Sequence, residues 1–105
     1  MVLIPFPFTN QTASKRRPAV VVSTPSFHNG RPDLILMAVT SQVRTPLRTG
    51  EALLADWLAA GLLKPSVAKP ELMTVQTSLV LRKLGRLGSG DRRSISEVLD
   101  RILGP

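Results

Sequence analysis

Two polar clusters beside apolar runs contain the residues best suited to chemistry on a phosphate group. The first reads S-K-R-R-P-A-V-V-V-S over residues 14–23 and places two arginines directly before a proline. A guanidinium presents a fixed fork of N–H donors that can neutralise charge developing on phosphate oxygens. Pro18 fixes its own φ and favours an extended conformation at Arg17, so the Arg17 side chain should have a defined direction. Arg17 is therefore a candidate catalytic residue for phosphoryl transfer.

Thr40 is the second candidate, because it closes the apolar run over residues 34–39. If this run pairs antiparallel with the run over residues 19–22, the end of one strand meets the start of the other. That arrangement places Arg17 near Thr40. The alternative is that Thr40 and Ser41 only hydrogen-bond the local backbone at a strand end.

Other hydrolytic chemistries lack the residues they need. The chain has no cysteine and only one histidine, His28, which leaves it without the ligands of an ordinary zinc site. A ribonuclease that uses a histidine pair needs a second histidine. A serine–histidine triad also needs a histidine, to act as its base. The seven carboxylates are scattered along the chain, which does not fit a two-metal site. We expect no metal and no cofactor, and we expect His28 to be solvated beside the Asn29-Gly30 turn.

Length and composition predict one folded domain over residues 1–105. Apolar residues make up 43% and charged residues 20%, which is typical of globular chains. Fourteen Lys and Arg against seven Asp and Glu give a net charge of +7, which favours polyanionic partners such as nucleic acid. No apolar run approaches the roughly 20 residues of a membrane helix, and the N-terminus lacks the basic segment of a signal peptide. We therefore expect a cytoplasmic protein with no membrane contact.

Short apolar runs separated by prolines, glycines and polar turns predict a mainly β protein. The expected strands cover residues 1–7, 19–22, 34–39, 51–54, 66–69, 72–75 and 80–87. The first run contains two prolines and is typical of an edge or first strand. Residues 10–17 read as a polar loop, and residues 24–32 as a turn-rich connection. Strands of this length and spacing favour a small barrel or sandwich.

The C-terminal segment predicts an amphipathic helix that packs on the strands. Its apolar residues recur at helical spacing, and they are Ile95, Val98, Leu99, Ile102 and Leu103. Ser89 or Asp91 could cap the start of the helix, and Gly104-Pro105 should stop it. The expected architecture is α+β, mainly β, with a small barrel and one terminal helix.

Five segments in order carry a family resemblance. They read V-L-I-P-F-P-F-T-N, K-R-R-P-A-V-V-V-S, L-I-L-M-A-V-T-S-Q, G-L-L-K-P-S-V-A-K-P-E-L-M-T-V and R-K-L-G-R-L, with the amphipathic helix after them. Together they cover almost the whole chain and resemble the MazF/PemK family of endoribonuclease toxins from type II toxin–antitoxin systems. The resemblance implies an SH3-like β-barrel with a C-terminal helix, as in MazF, PemK and CcdB.

The resemblance also implies an activity, a site and partners. The activity is metal-independent, sequence-selective cleavage of single-stranded RNA (mRNA) that leaves 2′,3′-cyclic phosphate and 5′-hydroxyl ends. The family's catalytic arginine and threonine fall on Arg17 and Thr40, which are also the candidates that the residues themselves indicate. The implied partners are a cognate antitoxin protein and a second copy of the chain in a homodimer.

We expect RNA to cross a groove lined by residues 10–16 and 41–49. The expected RNA-binding residues are Lys15, Arg16, Ser41, Gln42, Arg44 and Arg48. Near this groove in sequence, only Phe8 and Phe27 could stack on bases, and both could equally pack under their own loops. Two other functions stay open. One is a non-catalytic toxin of the same fold that binds a protein target such as a topoisomerase, and the other is a basic RNA-binding barrel.

Overall fold

A computed structural model of the chain describes residues 1–6 and 15–104, apart from the side chains of Phe6 and Lys15. Six strands and two helices form in the order β1 (Val2–Phe6), β2 (Lys15–Val21), α1 (Pro25–His28), β3 (Asp33–Thr40), β4 (Ala52–Leu54), β5 (Ser66–Gln76), β6 (Arg82–Lys83) and α2 (Ser89–Leu103). The strands make one sheet in the order β4-β5-β3-β2-β1-β6, and each pairing is antiparallel. The described part of the chain therefore has the predicted α+β, mainly β, class with a C-terminal helix.

Both faces of the sheet carry apolar side chains, because successive residues of a strand point to opposite sides. One face holds the larger cluster, in which Val20, Met37 and Val39 pack with Leu54 and with Ile95 of α2. The other face holds a second cluster, whose buried members are Val2, Ile4, Ala19 and Leu36. The central strands β2 and β3 contribute to both clusters. They consequently form the rigid middle of the fold.

The two ends of the sheet meet through loops instead of a strand ladder. In the described chain β4 and β6 are the terminal strands and do not pair with each other. The segments that follow them do meet, because the Arg86 N–H donates to the Ala59 carbonyl at 3.2 Å. Gly85 makes this approach possible, since a Cβ at that position would lie 2.4 Å from the same carbonyl oxygen. The sheet therefore curls as expected for the barrel family but remains open between β4 and β6.

Helix α2 covers the larger cluster with the predicted apolar face. Ile95 is buried, and Val98 and Leu99 pack against the same cluster. Leu103 is 68% exposed, so the last predicted apolar position does not join the buried cluster. Gly88 is the N-cap instead of Ser89 or Asp91, because the Asp91 carboxylate is buried and accepts hydrogen bonds from another segment. The helix ends at Leu103, before Gly104, as predicted.

Several predicted boundaries shift for identifiable reasons. Residues 66–76 form one 11-residue strand, where two strands flanking Pro70 were expected. Pro70 is tolerated because the register of β3 and β5 shifts opposite Ala38, where no ladder bond is required of it. The predicted last strand shortens to β6, and a 3-10 turn over Thr77–Leu79 precedes it.

The N-terminal half contains three further corrections. Residues 15–17 belong to β2 instead of a loop, because they pair with Phe6, Pro5 and Ile4. β1 is the first strand but not an edge strand, since β6 pairs with Val2 and Leu3 on its other side. The turn-rich connection contains the short helix α1, whose first turn is capped by the Thr24 hydroxyl. Neither helix of the described chain is long and apolar enough to span a membrane.

Candidate active site and nucleic-acid interface

The pairing of β2 with β3 brings together the strand ends that carry the two candidate catalytic residues. The register pairs Ala19 with Ala38 and Val21 with Leu36, so the two strands are antiparallel as predicted. The last paired residues are Ala19 and Ala38, so Arg17 and Thr40 each lie two residues beyond the paired part, and Arg17 is not among the described residues that line the cavity beside Thr40. Pro18, between Arg17 and Ala19 in β2, has no N–H to donate, which explains why the hydrogen-bonded pairing with β3 stops at Ala19.

Arg17 and Thr40 also belong to the same face of the sheet. Side chains two apart on a strand share a face, so Arg17 lies on the side of Ala19, and Thr40 on the side of Ala38. The next strand continues this row, since Arg17 pairs with Ile4 of β1. Both candidate side chains are half-buried. A half-buried guanidinium and a strand-end hydroxyl on one face of the sheet are groups that can hold a phosphate in a fixed orientation.

A cavity of about 200 Å³ opens beside Thr40 and collects most of the predicted RNA-binding residues of the 41–49 segment. We call it the Thr40 cavity, and its described lining residues are Thr40, Gln42, Arg44, Arg48, Glu51 and Lys69. The Gln42 N–H donates to the Thr40 Oγ1 at 3.1 Å, which orients the hydroxyl. Because that oxygen acts as acceptor to the backbone, its own proton can be donated to a ligand oxygen.

A tight turn holds Arg48 at the wall of the Thr40 cavity. The Arg48 N–H donates to the Glu51 Oε1 at 2.7 Å, and the Glu51 N–H donates to the Arg48 carbonyl at 3.1 Å. Gly50 completes the turn with a φ of +94°, a backbone conformation that residues with a side chain rarely adopt. It is buried against Pro70, to which a Cβ at Gly50 would approach within 3.1 Å. The Arg48 backbone is thus fixed by contacts on both sides of the turn.

Two members of the Thr40 cavity were not predicted from the sequence. Lys69 lies in β5 and forms an ion pair with Glu71 at 3.4 Å, and Glu51 precedes β4. Lys69 adds a third cation to those of Arg44 and Arg48, while Glu51 adds one negative charge. The only sequence signal for Lys69 is a lysine beside Pro70, which does not reveal that the two segments meet.

Arg16 and Ser41 lie at a different cavity, although each is adjacent in sequence to a candidate catalytic residue. This cavity measures about 420 Å³, and Lys64 and Arg82 also line it. We call it the Arg82 cavity. Because neighbouring residues of a strand point to opposite faces, Arg16 and Arg17 are directed to opposite sides of the sheet. The predicted single groove is thus divided by the ends of β2 and β3 into two cavities.

The remaining candidates lie away from the site or outside the described residues. Lys15 begins β2, paired with Phe6, but its side chain is outside the described part, as is Phe8. Phe27 lies on α1, at the opposite end of β3 from Thr40. His28 is not simply solvated as expected, because its Nε2 lies 2.6 Å from the Ser23 Oγ. Among the residues that the structure describes, no three His, Cys, Asp or Glu side chains could jointly hold a metal ion.

The same fold occurs in solved structures of bacterial toxins. The Mycobacterium tuberculosis toxin MazF-mt6 aligns with a TM-score of 0.73 at 16% identity, over 98% of this chain and 96% of that one. An endoribonuclease in complex with its cognate antitoxin from a mycobacterial species aligns with a TM-score of 0.78 at 14% identity, over 98% and 89%. A further structure described as an Mtb toxin gives 0.67 at 19% identity, over 79% and 88%.

These likenesses establish the fold. A comparison with curated protein sequences finds no match. The family model for the PemK-like, MazF-like toxin of type II toxin–antitoxin systems matches residues 1–103. The chain therefore belongs to the MazF/PemK family of type II toxins.

Proposed function

We propose that this toxin is an endoribonuclease that cleaves cytoplasmic single-stranded mRNA without a metal ion and with sequence selectivity. The observation that carries the proposal is the antiparallel pairing of β2 with β3, which ends at Ala19 and Ala38 and supports a site formed by Arg17 and Thr40, each two residues further on. The endoribonuclease described in complex with its antitoxin shares the fold and adds support.

The proposed reaction is an internal transfer at phosphorus. The ribose 2′-oxygen forms a bond to phosphorus as it loses its proton, and the bond between phosphorus and the 5′-oxygen breaks. The products are a 2′,3′-cyclic phosphate and a 5′-hydroxyl, once the leaving oxygen has gained a proton. Negative charge increases on the phosphate and on the leaving oxygen during the reaction, and fixed donors must meet it.

The site residues divide that task. Arg17 stabilises the charge of the leaving 5′-oxygen or supplies its proton, and the Thr40 hydroxyl donates to a phosphate oxygen. The Thr40 cavity adds Arg44, Arg48 and Lys69, which attract the phosphates on either side of the cleaved bond. Gln42 orients the Thr40 hydroxyl through its backbone N–H. Arg16 and Ser41, together with Lys15, are proposed to bind the RNA next to the reacting group.

Two protein partners belong to the proposal. The first is a cognate antitoxin, supported by family membership and by the net charge of +7, which favours an acidic antitoxin segment. Co-expression with the neighbouring small gene should yield a stable complex, and its absence would count against this partner. The second is another copy of the chain. Apolar side chains such as Leu58, 71% exposed, offer surface for a homodimer, and sedimentation as a monomer at micromolar concentration would exclude it.

Arg17→Ala tests the catalytic site most directly. Purified protein is incubated with a long single-stranded RNA in EDTA, and the fragment ends are mapped. We expect discrete fragments with 2′,3′-cyclic phosphates, and a rate at least about 100-fold lower for Arg17→Ala. The control is Arg93→Ala, which removes the same charge from an exposed position of α2 and should change the rate by less than about threefold.

Thr40→Ser and Thr40→Val separate the hydroxyl from the shape of its side chain. The serine variant keeps a donor and an acceptor for the Gln42 N–H, so it should retain most activity, whereas the valine variant should lose it. Tight, salt-sensitive binding without cleavage would overturn the proposal in favour of an RNA-binding barrel. Growth arrest that survives Arg17→Ala would instead favour a toxin that binds a protein target.

A further inference from the structure

The Arg82 cavity is larger than the Thr40 cavity and lies at the other side of the β2 and β3 ends. We infer that it binds the nucleotide next to the cleaved phosphodiester, with the phosphate on its cations and the base on its apolar floor. This inference rests on the proposed nuclease function, and it adds Lys64 and Arg82 to the RNA-binding residues.

The charge of the cavity favours an anion. Arg16, Lys64 and Arg82 come from three separate segments of the chain and converge on one space. No acidic side chain is among the described residues that line it, in contrast to the Thr40 cavity with Glu51. All three cationic side chains are exposed, so each can reach a phosphate without being desolvated first. Three cationic side chains, with no acidic side chain among the described lining residues, can bind a negatively charged phosphodiester.

The floor of the cavity suits the flat face of a base. Leu3, Pro18 and Leu62 supply apolar surface beneath the cations. Leu63, at the rim, is 93% exposed, which is a high exposure for a leucine beside a cavity. A volume of about 420 Å³ falls within the range of small-molecule sites, roughly 300–1,000 Å³. Every base has an apolar face, so this apolar surface can bind a nucleotide without selecting strongly for one base.

The walls of the cavity are fixed by backbone contacts. The Leu81 N–H donates to the Leu3 carbonyl at 2.8 Å, which anchors the segment leading to Arg82. The Ser66 hydroxyl donates to the Lys64 carbonyl at 2.9 Å. Gly61 has a φ of +81°, and a Cβ there would lie 2.7 Å from the backbone carbonyl carbon of Leu84. The cavity consequently exists before any ligand arrives, which lowers the entropic cost of binding.

Sequence adjacency places this cavity next to the reacting phosphate. Ser41 and Arg16 line it, and each is covalently next to one residue of the Arg17–Thr40 pair. Because Arg16 and Arg17 are directed to opposite faces of the sheet, an RNA strand has to pass around the end of the β2–β3 ladder to bring successive nucleotides to the two cavities. An acidic antitoxin segment could use the same cations. The continuity with the candidate catalytic pair favours RNA as the occupant.

The first test measures binding alone, in an Arg17→Ala background that removes the proposed catalysis. A fluorescent single-stranded RNA is titrated at several salt concentrations with the Arg17→Ala protein and with the same protein carrying Lys64→Ala and Arg82→Ala in addition. Each lost phosphate contact lowers the slope of log K against log salt by about 0.7, so a reduction of about 1.4 is expected. The control pair, Arg93→Ala with Arg101→Ala, removes the same charge from exposed positions of α2.

The second test uses cleavage of shortened substrates by the protein with Arg17 intact. Removing the nucleotide that occupies the Arg82 cavity should lower kcat/KM about tenfold for the parent protein and much less for the Lys64→Ala, Arg82→Ala variant. Equal losses in both proteins would overturn the inference while leaving the proposed nuclease intact.

In the first test, an unchanged salt slope together with weaker antitoxin binding would overturn the inference in favour of a peptide site. Absence of cleavage by the parent would refute the nuclease, and the salt slope would then still decide whether the cavity binds RNA. Thermal melts of each variant, and Lys64→Gln with Arg82→Gln as milder changes, exclude loss of folding as the cause.

Discussion

Asp91 joins the C-terminal helix to the end of β4, and its replacement tests how the fold is held together. Its side chain is only 3% exposed, and it lies in the first turn of α2. The Ala55 N–H donates to the Asp91 Oδ1 at 2.8 Å, and the Asp56 N–H donates to the Asp91 Oδ2 at 2.9 Å. A negative charge in the first turn also interacts favourably with the helix dipole.

The expected loss of folding stability follows from these two hydrogen bonds. A hydrogen bond to a charged group contributes about 1.5–3 kcal/mol, and leaving a buried donor unpaired costs a similar amount. Asp91→Ala removes both acceptors and should cost about 3–5 kcal/mol, whereas Asp91→Asn keeps one acceptor and should cost about 1.5–3 kcal/mol. Small domains have roughly 5–15 kcal/mol of stability. At about 4–8 °C for each kcal/mol, Tm should fall by about 10 °C for Asn and about 20 °C for Ala.

Urea and thermal unfolding of the purified variants measure these values. Asp100→Asn is the matched control, because it makes the same chemical change at an exposed position of the same helix, where we expect less than about 0.5 kcal/mol. The reasoning is refuted if Asp91→Asn and Asp100→Asn have the same unfolding midpoint. It is also refuted if Asp91→Ala is no less stable than Asp91→Asn.

Three further predictions concern a backbone contact, the charge of the Thr40 cavity and pH. Gly85→Ala should destabilise the fold by more than about 2 kcal/mol, because its Cβ would lie 2.4 Å from the Ala59 carbonyl oxygen. Gly90→Ala, whose Cβ would have open space in α2, should raise stability by about 0.5–1 kcal/mol, and equal effects in urea unfolding would contradict the contact. Glu51→Gln keeps an oxygen to accept the backbone hydrogen bond of its turn but removes the negative charge of the cavity. It should therefore bind RNA severalfold more tightly at low salt, and an unchanged affinity by fluorescence anisotropy would argue against phosphate binding there. Burial lowers the pKa of the Met1 α-amino group below its ordinary value of 8.0. Between the lowered pKa and pH 8.0, the unfolded chain therefore binds more protons than the folded chain. Stability should rise as pH increases from the lowered pKa to about 8, and urea unfolding of the N-acetylated chain should lack this component.

The candidates Arg17 and Thr40 show how much of the candidate site follows from local sequence. The polar residues after Val39 identify the end of β3, but β2 begins at Lys15, three residues before the Pro18 that precedes the predicted strand. Antiparallel pairing of two apolar strands then leaves little freedom in where those ends meet. Strand alternation separates Arg16 from Arg17, but the polar composition of residues 10–17 predicted a loop there. The division into two cavities therefore follows from the extension of β2 to residues 15–17, which the sequence did not indicate.

Residues from remote segments could not be placed in the same way. Lys69 reaches the Thr40 cavity because β5 continues through Pro70 with a shift in register, whereas the proline predicted a break. Lys64 and Arg82 meet only because two glycine-containing segments pack backbone against backbone. Such contacts depend on the shape of the whole fold and leave no periodic pattern in the chain. The helix start shows the same limit, since Asp91 binds the backbone after β4 instead of capping α2.

The pairing of β1 with β6 has a consequence for the synthesis of the toxin. Val2 pairs with Lys83, so the first strand gains its second neighbour only after most of the chain has been made. Helix α2, which covers the larger apolar cluster, comes later still. Contacts so distant in sequence slow folding, because the intervening chain must be closed into a loop before they form. The β1–β6 pair and the cover over the larger cluster therefore form only after residues 82–103 have been made. The order of the strands makes the fold of this toxin depend on its last-made segments.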